Sequence, residues 1–492
     1  MLLKSLKNNI VNLKCFESIE VFEPILNNTK TNTKISIIDL KGVRSNFNLI
    51  INYDEVITQE NRFLLRLASI MPLLNYGLFT NNIKLNFNLS KSDFSLITDL
   101  IEIFSKDILI NKFLRKKNPY LIHDFVLSEK EVLEWNTSFR ARLLPNDIIH
   151  DKIEPNQFNK TSCGVLSSGG KESLLTYGIL KEIGAEVHPM YVNESGGHWR
   201  TALPAYRKFK ELDPNIVKVW TNIDRFYTFI LDHMRIIRKD HRKIWSDTYP
   251  IRLSIFPFYI FLLLPIFFNK NIGNILLGSE FDDPRTSSNF NGIDHYFGIY
   301  DQSQNFDIRM EQWYSKRMKG LRQWSAVRSI SGLIVERILT KRYPNLAQVQ
   351  RSCHSCHFHK RDLIPCGKCS KCQGVLLFLI ANNVNPAIMG YSSNNVKELP
   401  FHLAKGNLRL DEDEKNRALY LSNIVQKLEN KNTLHIETIH NHKEVSDLQL
   451  LPDHFRSSIL KILMKYTKGI SNLKEKSWIT TNPSLDLFKI AF

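Results

Sequence analysis

The chain has 492 residues, of which 43% are hydrophobic and 23% charged, and its formal net charge is +17. This length exceeds what one hydrophobic core usually organises, so two or three domains are expected, and the composition is that of an ordinary soluble globular protein. The positive charge leaves a nucleic-acid partner open, although no five consecutive basic residues occur. The beginning, MLLKSLKNNIVNLKCF, lacks an apolar core followed by a cleavage site, which favours a cytoplasmic over a secreted protein.

Residues 1–150 are predicted to form an N-terminal accessory α+β domain. Segments such as KISIIDL and SNFNLIINY have the partial alternation of strands, whereas RFLLRLASIMPLLNYG and DFSLITDLIEIFSKDIL have helical spacing. From about residue 160, short apolar runs that end in Gly or Ser alternate with amphipathic helical patterns. This alternation predicts an α/β domain with a parallel, Rossmann-like sheet over residues 155–385, and ligands are expected at the carboxyl ends of its strands.

The first of these runs leads into the loop GVLSSGGKESLLTYG, residues 164–178. The loop fails the Walker A pattern twice, since Val165 stands where the first glycine is required and Glu172 where Ser or Thr is required. Two glycines between a strand and a helix still predict an anion site, because the backbone can approach a phosphate closely at a positive helix start. Lys171 adds a cation, and the carboxylate of Glu172 suggests Mg²⁺ bridging to phosphates. The alternative is a simple turn with a solvated first helical turn.

Polar clusters follow two further predicted strands. NESGGHWR, residues 193–200, contains Glu194, His198 and Trp199, and GSEFDDPR, residues 278–285, contains Glu280, Asp282, Asp283 and Arg285. Such clusters converge on one crevice when their strands share a parallel sheet, and carboxylates there could bind Mg²⁺ or the N–H donors of a purine-like base. Trp199 could stack on that base, and His198 is a candidate general base because its unperturbed pKa is near neutrality. Both segments could instead be plain polar loops.

The apolar run LSIFPFYIFLLLPIFF, residues 253–268, imitates a membrane span. It is shorter than the roughly 20 apolar residues that a bilayer needs. It also carries Pro257 and Pro265, and a strand-like run follows closely. We expect a buried helix packed against a sheet, with no membrane partner.

Five cysteines lie within CHSCHFHKRDLIPCGKCSKC, residues 353–372. Thiolates on two-residue spacers can converge on one tetrahedral ion, and the clustering favours a metal site over disulfides. Zinc is the expected metal, an iron–sulfur cluster would use the same ligands, and free or redox thiols are a third alternative. Spacing alone does not choose between Cys353 and Cys356. Charged helical patterns follow, so residues 386–492 are predicted to form a mostly helical C-terminal extension.

Residues 168–173, SGGKES, resemble the pyrophosphate loop (PP-loop) of N-type ATP pyrophosphatases, which cleave ATP between the α and β phosphates to adenylate a substrate oxygen. Glu172 stands where that superfamily usually carries Asp. Together with the spacing C-x9-C-G-x-C-x2-C, the loop resembles the 7-cyano-7-deazaguanine synthase family over roughly residues 160–385. The resemblance implies the adenine nucleotide alpha-hydrolase (PP-loop) topology with ATP, Mg²⁺ and Zn²⁺. The zinc ligands would be Cys356, Cys366, Cys369 and Cys372, with Cys353 as an alternate.

The same resemblance implies an ATP-dependent, ligase-like enzyme that adenylates the carboxylate of 7-carboxy-7-deazaguanine and releases pyrophosphate. An amine then captures the acyl group and gives an amide; when the amine is ammonia, a second ATP-consuming step dehydrates the amide to a nitrile. The extensions on both sides suggest a protein or nucleic-acid amine acceptor, and extended relatives occur in bacterial defence operons against phage. The expected catalytic residues are Lys171, Glu172, Ser173, His198, Asp282 and Asp283. The expected nucleotide-binding residues are Ser167, Ser168, Gly169, Gly170, Lys171, Glu172, Ser173 and Leu174, and the expected substrate-binding residues are Glu194, Trp199, Glu280 and Arg285.

Two alternative functions remain open from the sequence. One is a PP-loop enzyme that modifies tRNA by thiolation or amination of a base, which would account for the basic charge; it generally needs a cysteine near the nucleotide, and Cys163 precedes the loop on a strand that is expected to be buried. The other is a zinc-stabilised nucleotide- or nucleic-acid-binding protein whose loop is inactive. The oligomeric state is also left open.

Overall fold

A computed structural model of the chain describes residues 13–115, 117–123, 140–153, 156–244, 246, 248–281, 287–290, 292–353, 355–359, 362–406, 408–426, 429–475 and 477–481. Two compact units make up the chain. Unit 1 comprises Met1–Phe158, Val219–Asn271 and Arg285–Leu321, and unit 2 comprises Asn159–Lys218, Ile272–Pro284 and Arg322–Phe492.

This division differs from the three consecutive segments that the sequence predicts, 1–150, 155–385 and 386–492. Two stretches inside the predicted PP-loop region, 219–271 and 285–321, belong to the same unit as the N-terminal residues, and the C-terminal residues belong to unit 2. Local periodicity identifies strands and helices but does not reveal which distant elements pack together.

The strands of the described residues are numbered along the chain. They are β1 (Phe16–Val21), β2 (Ile25–Asn27), β3 (Lys30–Asp39), β4 (Arg44–Tyr53), β5 (Thr80–Leu85), β6 (Leu89–Ser90), β7 (Arg142–Leu144), β8 (Ile148–Ile149), β9 (Asn159–Leu166), β10 (Glu186–Asn193), β11 (Val217–Thr221), β12 (Ile272–Leu276), β13 (Ser288–Phe290), β14 (Ile293–His295), β15 (Arg322–Trp324), β16 (His357–His359), β17 (Asp362–Ile364), β18 (Ile439–Asn441), β19 (Ile470–Lys474) and β20 (Ser477–Thr481).

The α-helices are numbered in the same way. They are α1 (Arg62–Ile70), α2 (Lys91–Ile108), α3 (Lys171–Glu182), α4 (Gly197–Leu212), α5 (Ile223–His233), α6 (Phe256–Asn269), α7 (Gln304–Arg317), α8 (Gly332–Arg342), α9 (Pro344–Ala347), α10 (Ser370–Ala381), α11 (Ser393–Ala404), α12 (Glu412–Ser422) and α13 (Asp453–Met464). Shorter 3-10 or π segments cover Gln59–Asn61, Met71–Tyr76, Leu109–Leu114, His241–Lys243, Tyr300–Gln302, Pro386–Met389, Lys431–Glu437 and Leu448–Leu450.

Unit 1 is built around a mixed sheet in which the strand order is β11, β4, β3, β1, β5, β7, with β2 also paired to β3. Strand β1 pairs antiparallel with β3 and parallel with β5. The apolar run of residues 253–268 forms the buried helix α6, which packs against α1, and the hydroxyl of Tyr53 at the end of β4 donates to the carbonyl of Leu262 at 3.0 Å. No helix within the described ranges combines the length and hydropathy of a membrane span.

Unit 2 has an α/β fold with a parallel central sheet, as the sequence predicts. The strand order is β15, β12, β9, β10, and each neighbouring pair runs parallel. Buried side chains of β9, α3 and α8, among them Val165, Leu174 and Ile334, share one hydrophobic core. Because β9 lies inside the sheet and α3 follows it directly, the loop that joins them sits at the carboxyl edge, where ligands of open α/β sheets bind.

The C-terminal residues are part of the core of unit 2 rather than a separate helical domain. Besides α11, α12 and α13 they contain the three-stranded sheet β18, β19, β20, which the prediction of a mostly helical extension misses. The five-residue strands β19 and β20 lack a regular buried and exposed alternation, so their sequences carry little strand signal. Phe455, Ile459 and Ile470 join the same core as Val165.

Candidate functional site

The loop between β9 and α3 bends around two buried glycines. Gly169 has a φ of +76°, and a Cβ at this position would lie 3.2 Å from the Cβ of Ala205 on α4. Gly170 has an extended conformation and directly precedes the first residue of α3. The N–H groups in the first turn of an α-helix have no partner within the helix, so the loop presents donors at the positive end of α3. The turn therefore has the form of an anion-binding helix start.

The hydroxyls of Ser167, just after β9, and Ser173, in the first turn of α3, connect the two ends of this loop. The Oγ atoms of Ser167 and Ser173 are 3.1 Å apart, and Ser167 Oγ also accepts the N–H of Gly169 at 3.3 Å. Ser173 Oγ is placed to donate to the carbonyl of Gly170 at 3.1 Å. Ser168 is exposed at the tip of the turn. The hydroxyls of Ser167 and Ser173 thus hold the loop in shape, whereas the side chain of Ser168 is open to solvent.

Lys171 lies between two carboxylates. Its Nζ is 2.9 Å from Oε1 and 2.8 Å from Oε2 of Glu280, and it also contacts Oε1 of Glu172. Burial disfavours the ammonium, but the carboxylates of Glu172 and Glu280 outweigh this effect and raise the pKa of Lys171 above its usual value. Lys171 is therefore a stable cation and not a general base.

Two further glycines bring Glu280 to this lysine. A Cβ on Gly278, just after β12, would lie 2.7 Å from the Cβ of Glu172. A Cβ on Gly332, the first residue of α8, would lie 2.9 Å from Oε2 of Glu280. Helix α8 begins well capped, because the side chain of Ser331 accepts the N–H of Ile334. Because Gly332 is the first residue of α8, the positive end of this helix lies against the Glu280 carboxylate.

Glu336 on α8 is a buried carboxyl beside this group, and the sequence analysis missed it. Its side chain is fully buried, Gln350 Nε2 donates to its Oε2 at 3.1 Å, and its Oε1 has no hydrogen-bond partner among the described residues. Burial raises the pKa of Glu336 to about 7; the positive charge of Lys171 opposes the shift, and the negative charges of Glu172 and Glu280 add to it. The only sequence signal is one carboxylate, followed by an arginine, in a largely apolar helical run, GLIVERIL.

Four cysteine sulfurs form a compact group that could hold a metal ion such as zinc. The Sγ atoms of Cys353, Cys366, Cys369 and Cys372 all lie within 4.8 Å of one another, with 3.9 Å between Cys366 and Cys372 and 4.0 Å between Cys353 and Cys369. Four sulfurs about 2.3 Å from a tetrahedral zinc would be about 3.8 Å apart. Within the described ranges this is the single group of three or more Cys, His, Asp or Glu side chains with metal-binding spacing.

The first member of this group is Cys353, which the resemblance gave only as the alternate, and not Cys356. The N–H groups of Ser355 and Cys366 both donate to Sγ of Cys353, at 3.2 and 3.3 Å, and these bonds turn the sulfur toward the other three. Cys356 directly precedes strand β16; its thiol contacts that of Cys353, but it is not one of the four sulfurs that all lie within 4.8 Å of one another. Counting residues between cysteines could not reveal this. The hairpin β16–β17 separates both Cys353 and Cys356 from Cys366, so the fold and not the spacing decides which sulfur joins the group.

The cysteine group packs against the glycine loop. The N–H of Arg351, two residues before Cys353, donates to the carbonyl of Gly169 at 3.1 Å. A Cβ on Gly170 would lie 4.0 Å from Oγ of Ser352. Two motifs that are nearly two hundred residues apart in the sequence therefore form one site in unit 2.

The remaining predicted residues lie in different surroundings. Leu174 is a core residue whose side chain is fully buried and whose N–H donates to the carbonyl of Gly170 at 3.2 Å, so it supports the helix start and does not face a ligand. Glu194 is buried just after β10. His198 is exposed, and Trp199 is half-buried with its ring centroid 5.1 Å from that of Tyr206. His198 and Trp199 belong to α4, the helix that contacts Gly169.

Three predicted residues of the GSEFDDPR segment, Asp282, Asp283 and Arg285, lie outside the described residues. Comparison of the chain with protein-family models, curated proteins and solved structures finds no match in any of the three.

Proposed function

We propose that unit 2 is a PP-loop ATP pyrophosphatase that adenylates a carboxylate and transfers the acyl group to an amine. The observation that carries the proposal is the position of Lys171, a stable cation at the start of α3, behind a Gly169–Gly170 turn at the carboxyl edge of a parallel sheet. A glycine turn, free helix N–H groups and a fixed ammonium together suit a pyrophosphate group.

The chemistry asked of these residues is electrostatic. In the proposed first step a carboxylate oxygen attacks the α-phosphorus of ATP, the new P–O bond forms, and the bond to the pyrophosphate oxygen breaks. Negative charge grows on that leaving oxygen, so donors that are already aligned toward it lower the barrier. Lys171 and the first-turn N–H groups of α3 would supply this stabilisation, and Ser168, exposed at the tip of the turn, would add a hydroxyl donor.

The described residues also fit a bound Mg²⁺, with the phosphates and water completing its shell. The carboxylates of Glu172 and Glu280 lie on either side of Lys171, at the start of α3. Mg²⁺ generally takes one or two protein carboxylates and fills its other positions with phosphate oxygens and water. The metal would neutralise the phosphates, and Glu172 is the proposed ligand.

The substrate is proposed to be 7-carboxy-7-deazaguanine, and the support for this is the resemblance of the loop and the cysteine spacing to the 7-cyano-7-deazaguanine synthase family. The amine is ammonia or a macromolecular acceptor, and a role in phage defence belongs to the same proposal. Zinc in the cysteine group would be structural, because all four thiolates are used and none of its positions is left for substrate.

A sulfur-transfer reaction on tRNA has less support. Such an enzyme needs an accessible thiolate near the nucleotide, and Cys163 on β9 is fully buried. Burial raises the pKa of the Cys163 thiol above its ordinary value, which keeps it protonated and unreactive.

The proposal is tested by following pyrophosphate release from ATP by the purified chain with and without 7-carboxy-7-deazaguanine. We expect pyrophosphate release that depends on the deazaguanine acid, while the AMP stays in the acyl adenylate and is released only when an amine such as ammonia is added. Release with tRNA but not with the acid would instead support the base-modifying alternative, and failure to bind ATP at all would support an inactive loop.

A further inference from the structure

Unit 2 contains a cavity whose lining begins at Phe281, the residue after Glu280. It has a volume of about 270 Å³ and is lined by Phe281, Ser331, Ile436 and the acidic run Asp411–Glu414. Phe281 forms an apolar floor that is held rigidly, since its ring stacks on that of His440 with centroids 3.6 Å apart and planes 6° apart. The acidic run comes from the residues that follow the predicted PP-loop region. The cavity therefore combines an apolar floor with a wall of carboxylates.

Glu414 is the buried carboxyl of this cavity. Only 5% of this residue is exposed. Its Oε1 accepts the N–H of Leu333 at 2.9 Å, and no donor or cation among the described residues contacts its second oxygen. Burial, with a further contribution from the nearby Glu280 carboxylate, raises the pKa of Glu414 to about 8, so this carboxyl holds a proton at neutral pH and a bound cation would favour its ionised form. A buried carboxyl with one oxygen unpaired that lines a cavity is a site for a positively charged donor.

The cavity adjoins the Lys171 site through two short connections. Phe281 directly follows Glu280, the partner of Lys171, and its N–H donates to the carbonyl of Ile330 at 2.9 Å. The residues Ser331, Gly332 and Leu333 form the second connection: Ser331 lines the cavity, Gly332 lies against the Glu280 carboxylate, and Leu333 donates to Glu414. A ligand in the cavity would therefore lie one residue away from the groups that hold pyrophosphate in the proposed function.

We propose that this cavity, the Glu414 pocket, binds a primary alkylammonium group and presents it as the amine acceptor. Four acidic residues would repel an anionic carboxylate substrate but attract a cation. A divalent metal fits less well, because these carboxylates do not come together at metal-binding spacing. The volume and the apolar floor exceed what ammonia needs and suit an aliphatic chain the length of a lysine side chain.

This inference depends on the proposed function for its chemical step. The ammonium gives one proton to the Glu414 carboxylate, and the freed lone pair attacks the acyl carbon of the acyl adenylate. The C–N bond forms while the bond from that carbon to the AMP oxygen breaks, and AMP leaves with the electron pair. The nitrogen loses its second proton to solvent, which leaves a neutral secondary amide.

The pocket can be tested without any reaction by calorimetric titration of the full chain with n-butylamine and with N-acetyl-lysine methylamide. We expect saturable binding by the wild type and at least ten-fold weaker binding by Glu414→Gln, which keeps the shape and the acceptor for Leu333. Glu444→Gln is the matched control, because Glu444 is exposed in the same unit and its loss changes the net charge equally. Circular dichroism checks that both variants fold.

Tighter binding of butylamine would indicate a small free amine, and tighter binding of the lysine derivative would indicate a protein lysine; both support the pocket. Equal binding by wild type and Glu414→Gln, or no amine binding by the wild type, would overturn the proposal. Saturation by guanine or MgCl₂ with no amine binding would also overturn it. If Glu414→Gln still releases pyrophosphate but forms less amide, the result supports both the adenylation reaction and the amine pocket. If the wild type binds amines but releases no pyrophosphate, the result contradicts only the proposed function.

Discussion

The main-chain N–H of Arg351 donates a hydrogen bond of 3.1 Å to the carbonyl of Gly169. Arg351 lies two residues before the first cysteine of the four-cysteine group, and Gly169 is the residue with positive φ in the glycine loop. The side chain of Arg351 is fixed as well, because its Nε donates to the carbonyl of Leu363 in the neighbouring hairpin at 2.6 Å. The cysteine group therefore supports the shape of the loop.

The identity of the first metal ligand can be tested with two single variants. Cys353→Ser should reduce bound zinc from about one ion per chain to below 0.2, because a hydroxyl replaces one of four thiolates. Cys356→Ser should keep the zinc, since Cys356 is outside the group. Metal content is measured by mass spectrometry of the purified protein. The reverse result would restore the ligand set that the resemblance implied.

Removal of the metal should also weaken the binding of ATP by the glycine loop. Chelation of zinc is expected to lower ATP affinity about ten-fold, because the segment that carries Arg351 loses its anchor and the hydrogen bond to Gly169 is no longer fixed. Fluorescence titration with an ATP analogue before and after chelation measures this, and re-addition of zinc should restore the affinity. Unchanged affinity in fully metal-free protein would show that the two motifs are only neighbours.

The glycine turn has a matched internal control. Gly169→Ala and Gly184→Ala both place a side chain at positive φ, so each should cost about 1 kcal/mol of stability. A Cβ at Gly184 meets open space, whereas one at Gly169 lies 3.2 Å from Ala205. We expect ATP binding to fall at least ten-fold for Gly169→Ala alone. Similar ATP affinity in both variants would remove the turn from the nucleotide site.

Part of this site could be predicted because its signals are local. A strand, two glycines and a helix start occupy consecutive positions, so the loop from Ser167 to Ser173 could be recognised in the sequence. The thiolates Cys366, Cys369 and Cys372 are likewise close together in the chain. Glu336 and Glu414 could not be found in this way, because α8 and α12 come from distant parts of the chain and the two residues carry no motif.

The role of Lys171 as a cation can be separated from general stability. Lys171→Met should reduce pyrophosphate release about 100-fold, since a charged donor aligned with the leaving oxygen is lost. Lys181→Met is the control: Lys181 lies on the same helix and pairs with Asp213 at 3.0 Å, at a distance from the loop. Its activity should stay within two-fold of the wild type. Equal losses in both variants would argue for a structural effect.

The buried carboxyl of Glu336 predicts a pH-dependent stability. Its folded pKa of about 7 is above the ordinary value of 4.5, so the folded state binds the proton more tightly than the unfolded state. The resulting stability is fully present below pH 4.5 and is lost as pH rises through 7, by an amount on the order of 3 kcal/mol. Glu336→Gln should lack this loss. We therefore expect urea unfolding to show that the free energy of unfolding of the variant, relative to that of the wild type, is greater at pH 8 than at pH 5.

If the pH dependence of the free energy of unfolding is the same for wild type and Glu336→Gln, then Glu336 does not titrate in this range. Glu398→Gln is the control for the loss of one negative charge, because the side chain of Glu398 is 61% exposed rather than buried.

The most direct measurement of the central claim uses 7-carboxy-7-deazaguanine whose carboxylate carries ¹⁸O at both oxygens. If a carboxylate oxygen attacks the α-phosphorus and the amine then attacks the acyl carbon, that oxygen leaves with the nucleotide. We predict that mass spectrometry finds one ¹⁸O atom in each AMP formed, with one amide product for each AMP, or one nitrile for every two AMP because dehydration of the amide uses a second ATP. AMP without ¹⁸O, released alongside unchanged acid, would mean that water attacks ATP and would contradict carboxylate adenylation.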